Sequence, residues 1–536
     1  MTDSNAESVK YGGTLPNKTL SVCPECLGII PATIFEKDGK VMIEKTCKEH
    51  GKFSDVYWGD AEMYNRMRKY AIDGRGVSNP NVEKKAPVCP KDCGLCRLHK
   101  SHTALANLVV TNRCDLSCWY CFFFAKKAGY VYEPTLEELR RAVRLLRNEQ
   151  PVPGNAIQLT GGNPELREDL FDILKMIKEE GVDHVQLNIN GTHRFWNNPE
   201  WTMKVKESGV NTIYLSFDGV TPKSNPKNHW EIPWMLENAR KANLGIVLVP
   251  TVIRSVNDHE VGDIIRFGMK HMDVVRGVNL QPVSLVGRMP RKEREKFRIT
   301  IPDTIIKIEE QTNGEISRDD FYTVPSIHPF TNFVEALIKK PQYDLTTHFA
   351  CGMATYVFED RGKIIPITRF VDVEGLFEYL NGKAEELRKG KSRALVGAKM
   401  LFRLNSFIDK DKSPKGFSLG KIIYNALIKH DYRSLGAFHH KSLFIGMMHF
   451  QDLYNYDINR VKRCCIHYLT PDAIIPFCAF NVIPQWYRDK VQEKYSFPIN
   501  EYEKKTGRTL EKDAYKRDSS KLVSDPVYEK AYEGFV

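Results

Sequence analysis

The sequence has no long apolar run. None of its 536 residues lies in a stretch approaching the roughly 18 apolar residues that a membrane-crossing helix needs. Met1 to Lys10 is polar and lacks the apolar core of an export signal. The cysteine count is odd, 13, which together with the missing signal argues against a disulfide framework. Acidic residues are in deficit: 67 Asp and Glu face 78 Lys and Arg, a formal charge of +11. Such a balance suits an acidic partner, whether phosphate, anionic lipid or nucleic acid, or a merely solvated basic surface. A hydrophobic share of 42% and a charged share of 27% are those of a globular protein. The length implies roughly two to four domains.

The cysteines that are present fall into groups: 23, 26 and 47; 89, 93 and 96; 114, 118 and 121; 351, 464, 465 and 478. Cys23-Pro-Glu-Cys26 and Cys47-Lys-Glu-His50 are two metal knuckles, each placing two ligands on one tight turn. Between them Ile29 to Phe35 and Lys40 to Lys45 read as strands joined by the hairpin signal Asp38-Gly39. Residues 1–85 are therefore expected to form a rubredoxin-like or zinc-ribbon module holding one mononuclear zinc or iron. His50 is its fourth ligand unless it merely flanks the turn.

Cys114-Asp-Leu-Ser-Cys118-Trp-Tyr-Cys121 is a C-x3-C-x2-C run after an apolar strand, with Trp119, Tyr120, Phe122, Phe123 and Phe124 around it. Three thiolates so spaced can hold three irons of a [4Fe–4S] cube and leave the fourth open. Structural zinc takes four protein ligands and this run supplies three. Cys89-Pro-Lys-Asp-Cys93-Gly-Leu-Cys96 has the same spacing, so context must separate them. The run at 114 follows a strand and carries the aromatic. The run at 89 follows a polar linker and is read as an auxiliary [4Fe–4S] segment, residues 86–103. A zinc knuckle completed by His99 or His102 is its alternative.

The run at 114 resembles the radical S-adenosylmethionine (SAM) superfamily, in which the open iron chelates the amino and carboxylate groups of SAM. From 104 to 290, strand and helix patterns alternate six times, with strands at Ala104–Thr111, Ala156–Thr160, His184–Ile189, Thr212–Phe217, Gly245–Thr251 and Gly277–Val283. Two-sided apolar strands of this kind pair in parallel, and the helix Leu136 to Arg147 opens with the capping box Thr135…Glu138. The expected fold is α/β, a partial (β/α)6 radical SAM barrel with chemistry at the C-terminal strand ends. Thr160-Gly161-Gly162-Asn163-Pro164 is similar to the superfamily's Gly-Gly-x-Pro motif, whose backbone receives the SAM amino group. Tyr120, Asn190, Ser216, Asp218, Thr251 and Gln281 lie at or beside successive strand ends and could line the same SAM site, or belong to ordinary turns.

Residues 291–536 do not continue the repeat. Cys351 opens a strand pair around Asp360-Arg-Gly362. Together with Cys464, Cys465 and Cys478 it suggests a C-terminal auxiliary Fe–S and substrate-binding domain, with buried free thiols as the alternative. Residues 384–463 mix Arg and Lys with Leu, Phe, Met and Ile, and include Ser442 to Phe450. Such a stretch can lie on an anionic membrane or turn its apolar side to a core.

The ribbon, Cys-Pro-x-x-Cys-Gly-x-Cys at 89–96, and Asn112 to Ala125 together resemble the archaeal tetraether lipid synthases. That resemblance implies SAM, three [4Fe–4S] clusters and carbon–carbon bond formation between terminal methyl carbons of archaeal diether phospholipids. It also implies peripheral contact with the inner face of the membrane and an electron donor of ferredoxin or flavodoxin type. A cytoplasmic protein without a nucleic-acid partner is expected. A radical SAM methylase acting on a pterin coenzyme, which needs no lipid tunnel, and a multi-cluster electron-transfer protein are the competing readings.

Overall fold

The computed structural model describes residues 11–123, 128–415, 417, 438 and 440–535. Met1–Lys10, Phe124, Ala125 and most of the interval 416–439 lie outside the described residues.

The strands expected from apolar runs form in order and pair in parallel. Leu105–Thr111, Ala156–Gly161, His184–Ile189, Thr212–Ser216, Gly245–Val249 and Val275–Pro282 are neighbours in one sheet. Their register sets Leu108 beside Leu159 and Leu187 beside Ile213, so buried aliphatic side chains run across the sheet in rows. The crossover helices bury apolar faces on it, as Leu139, Val143 and Leu146 do on Leu136–Arg147. That helix starts where the capping box places it, with the Thr135 hydroxyl and the Glu138 carboxylate exchanging bonds with each other's backbone.

Among the described residues the sheet has thirteen strands and stays open, its path ending at Tyr322–Thr323 on one side and Ile474–Pro476 on the other. The extra strands come from the C-terminal half. Leu443–Met448 lies parallel to Val275–Pro282, and Ile466–Leu469 lies parallel to Leu105–Thr111. Gly352–Asp360 folds back on Lys363–Pro366 and adds antiparallel to Leu443–Met448. Strands from beyond residue 291 thus extend both edges of the barrel sheet.

Of the two readings of 384–463, a membrane surface or an apolar side turned to a core, the described part shows the second. Leu443 and Ile445 are fully buried as an inner sheet strand. Leu376, Leu380 and Leu387 of Val373–Arg388 pack with Val396, Met400 and Leu404 of Arg393–Leu404 into one apolar cluster, and the basic residues take the other face. Among the described residues no helix is long and apolar enough to cross a membrane.

The N-terminal ribbon is a four-stranded antiparallel sheet, Asn17–Val22, Ile29–Lys37, Lys40–Cys47 and Gly51–Trp58. Its hairpin turns at Asp38-Gly39, both with positive φ (52° and 71°), which suits the twist of the flanking strands. It is clamped to the barrel by buried polar contacts. Lys45 Nζ donates to the Leu453 carbonyl at 2.6 Å and to Ser21 Oγ at 2.9 Å. Arg298 bridges Asp55 (2.8 Å) and Asp452 (3.0 Å).

Candidate functional site

The first barrel strand delivers Cys114, and the two residues before it are held tightly. Asn112 accepts from Tyr132 N (2.9 Å) and donates to the Tyr130 carbonyl (3.1 Å). The Arg113 guanidinium, 3% exposed, is gripped by Asp513 (2.7 and 2.9 Å), Glu133 (3.1 Å) and the Tyr502 hydroxyl (2.8 Å). Burial pushes the Cys114 thiol well up, raises Cys118, and carries Cys121 up to about 11. Three neighbouring thiols that burial keeps from ionising gain from a cation that displaces their protons. The donor set thus fits the three-cysteine iron–sulfur group that its spacing suggests.

Gly161 and Gly162 sit against the backbone of this loop. A Cβ on Gly161 would come within 2.0 Å of the Thr111 carbonyl oxygen, and one on Gly162 within 1.9 Å of that of Arg113. Gly162 N and Asn163 N donate to those same two oxygens, at 2.8 and 2.7 Å. The glycines are therefore required by close approach of the cysteine loop to the second strand end.

Asp115 is the hub that sequence reasoning missed. Its carboxylate accepts from Asn163 Nδ2 (2.9 Å), Asn190 Nδ2 (2.8 Å) and Thr192 Oγ1 (2.7 Å), joining the cysteine loop to two successive strand ends. Glu165, fully buried beyond Pro164, accepts from Arg194 N and Phe195 N (2.9 and 2.8 Å). Burial, with Asp115 close by, pushes its carboxyl up to about 7. Their signal was position alone, one inside the cysteine run and the other directly after the Gly-Gly-x-Pro turn.

Tyr120 and Asp218 meet across the mouth, the phenol donating to the carboxylate. Asp218 also accepts from Thr251 N (2.9 Å) and pairs with Lys227 (2.7 Å), each of these two side chains 6% exposed. Lys227, which the sequence reading did not single out, donates to the Tyr120 hydroxyl (3.1 Å) and bears on Cys118 electrostatically. Asn228 donates 2.7 Å bonds to the carbonyls of Asn190 and Ser216. Gln281 stands at the last strand end, its backbone N–H donating to the Pro250 carbonyl (2.8 Å). The predicted SAM residues thus gather at one end of the sheet.

Cys23, Cys26, Cys47 and His50 bring their ligand atoms within 4.8 Å of one another. The His50 hydrogen bond holds Cys47 down at about 6. Four such donors around one point fit a tetrahedral ion. Cys93 faces Cys89 and its N–H donates to the Tyr487 hydroxyl (3.0 Å). Neither His99 nor His102 turns toward this run. His99 lies against the Cys464 carbonyl (2.8 Å) and His467, and His102 pairs with Asp344 (3.2 Å). Cys351, Cys464, Cys465 and Cys478 are brought into one neighbourhood, where charge on Cys351 bears on each of the other three. Cys464 bears in the same way on Cys93, so this group adjoins the 89–96 run.

A profile of the radical SAM superfamily matches residues 108–268, and one of the HMPTM N-terminal zinc ribbon domain matches residues 15–59. The 7,8-dihydro-6-hydroxymethylpterin dimethyltransferase of Methanocaldococcus jannaschii is 48% identical over 502 residues, 91% of this chain and 97% of that protein. The GTP 3',8-cyclase of Limosilactobacillus fermentum is 29% identical over 187 residues, 32% of this chain and 53% of that protein. Among solved structures, Streptococcus suis SuiB bound to S-adenosylmethionine shares 13% identity at a TM-score of 0.31, over 40% of this chain and 48% of that one. The near-full-length relative overturns the tetraether lipid synthase expectation, with its diether phospholipid substrate and membrane contact. The activity it is described by acts on a pterin.

Proposed function

The chain belongs to the radical SAM superfamily and to the family of the 7,8-dihydro-6-hydroxymethylpterin dimethyltransferase, and from that premise we propose that it methylates a dihydropterin of that type. The observation that carries the reading is the extent of the match, 91% of this chain and 97% of the relative, joined to a ribbon of the same family at residues 15–59.

In this reading Cys114, Cys118 and Cys121 hold the [4Fe–4S] group that binds SAM. When bound, the pair supplies the one-electron chemistry that activates an unreactive C–H bond. The chain's own residues do the placing. Gly161 and Gly162 let the cysteine loop seat on the second strand end, and Asp115 fixes it against Asn163 and Asn190. Tyr120, Asp218, Thr251, Ser216 and Gln281 line the SAM pocket, and Lys227 balances the Asp218 carboxylate there. Auxiliary [4Fe–4S] groups at Cys89, Cys93 and Cys96 and at Cys351, Cys464, Cys465 and Cys478 form a second redox region. The ribbon holds one zinc or iron. An electron donor of ferredoxin or flavodoxin type in the cytoplasm completes the system. Saturable binding of 7,8-dihydro-6-hydroxymethylpterin to the anaerobic, SAM-loaded protein tests the substrate assignment. Absence of saturation would remove the pterin from the account.

A further inference from the structure

Arg460 lies 2% exposed at the end of the strap 449–463, which the ribbon clamps. Ser21 donates to the Tyr456 carbonyl (2.5 Å), Lys45 to that of Leu453 (2.6 Å), and Tyr57 to Asp457 (2.9 Å). The guanidinium held in this way has its Nε 3.2 Å from Cys351 Sγ, and Nη2 donates to the His449 carbonyl. Its central carbon stands 5.8 Å from the middle of the Tyr57 ring.

A buried guanidinium calls for negative charge. The groups acting most strongly on Arg460 are Cys351, Tyr57 and Cys478, with no carboxylate among them. The other cations nearby are already matched. Arg463 pairs with Asp73 (2.6 Å), and Arg298 with Asp55 and Asp452. The Asp457 carboxylate accepts from the Thr19 (2.5 Å) and Tyr57 (2.9 Å) hydroxyls and from Asn459 N (2.9 Å), and no ion pair joins it to the Arg460 guanidinium among the described residues. His348 and His449 are held neutral by burial and by the Arg460 charge itself. Among the described residues, the group within hydrogen-bond reach of the guanidinium that can become an anion is the Cys351 thiol.

We propose that Arg460 is the fixed counter-charge of the thiolate-held group at Cys351 and Cys478, making a cluster seated there easier to reduce than a neutral residue at 460 would. The inference rests on the reading that Cys351, Cys464, Cys465 and Cys478 hold a cluster. Reduction adds one electron from the external donor and makes or breaks no bond. The added negative charge is stabilised by a cation in a low-dielectric setting. Arg460 acts here as a positioning and tuning residue.

The test uses the full chain, reconstituted anaerobically, with iron analysis and a potentiometric titration followed by electron paramagnetic resonance. The signal lost in Cys351→Ala is the one assigned to this group. In Arg460→Gln the reduced-to-oxidised ratio of that signal at a fixed potential falls by about tenfold, a shift of about 59 mV for one electron. Arg460→Lys, which keeps the charge, stays near wild type. Full iron with an unshifted midpoint in Arg460→Gln overturns the role of Arg460. Iron lost equally from both variants makes it a structural residue and overturns the role as well. Iron kept with Lys but lost with Gln supports the requirement for charge. Identical iron content and an unchanged set of signals in wild type and Cys351→Ala overturn the underlying cluster instead.

Discussion

The Asp115 carboxylate accepts a 2.9 Å hydrogen bond from the Asn163 side chain, tying the loop that carries the three cysteines to the turn behind the second strand. Asn190 and Thr192 donate to the same carboxylate, so one acid sets the spacing of three barrel-mouth segments. Asp115→Ala would remove the acceptor that these three buried donors share, at a cost of about 3 kcal/mol. The expected outcome is a lower melting temperature and weaker iron retention, checked by thermal unfolding and iron analysis. A variant with wild-type values would show that the loop is held by other contacts.

Gly162→Ala places a methyl where the Arg113 carbonyl already lies, at 1.9 Å. The cysteine loop must then lift from the second strand. We expect loss of the SAM-binding iron signal and of SAM cleavage, while the ribbon metal remains. Metal analysis with separate iron–sulfur absorption distinguishes the two sites.

Lys227→Met removes the cation paired with Asp218 at 2.7 Å and leaves that buried carboxylate without its charge partner. Breaking such a pair costs about 3–5 kcal/mol. Part of that falls on the geometry of Tyr120 and Thr251, which share the carboxylate. SAM affinity measured by calorimetry should drop by at least about tenfold, which is about 1.4 kcal/mol. Unchanged affinity would detach Lys227 from the site.

Glu165 has its folded-state carboxyl raised by burial to about 7 from an ordinary value of 4.5. A raised carboxyl favours the folded state fully below the unfolded value, and the advantage is lost as pH rises toward the folded one. Between pH 4.5 and 7 the unfolded chain gives up a proton that the folded chain keeps. The decline amounts to roughly 3 kcal/mol across that window. Glu165→Gln should flatten this part of the stability curve, measured by denaturant titration of the metal-free protein at stepped pH. An unaltered slope would mean that another group is responsible.

The barrel was legible because its strands are apolar on both faces and separated by amphipathic helices, and the ribbon because its knuckles and Asp38-Gly39 turn are local signals. The strand Leu443–Met448 was not. Its partner Val275–Pro282 lies far back in the chain, and a short apolar run carries no mark of which sheet edge it joins. Read alone, Ser442 to Phe450 suits a membrane as well as a core. Asp115, Glu165 and Lys227 escaped for a related reason: a single acid or lysine acquires its role only from neighbours that folding supplies. Gly161 and Gly162 stood out for a different reason, and the contact that demands them, with the carbonyls of Thr111 and Arg113, shows only in the structure. The substrate was the least legible feature, since the same cysteine pattern resembled a lipid-coupling family.

The most direct test offers the reduced, reconstituted protein SAM with a deuterated methyl group, 7,8-dihydro-6-hydroxymethylpterin and, in a parallel vessel, an archaeal diether phospholipid. Products are read by mass spectrometry. The account predicts deoxyadenosine and a pterin that has gained methyl groups, with the lipid unchanged. Deoxyadenosine with an untouched pterin, or a lipid whose chains have been joined, would contradict it.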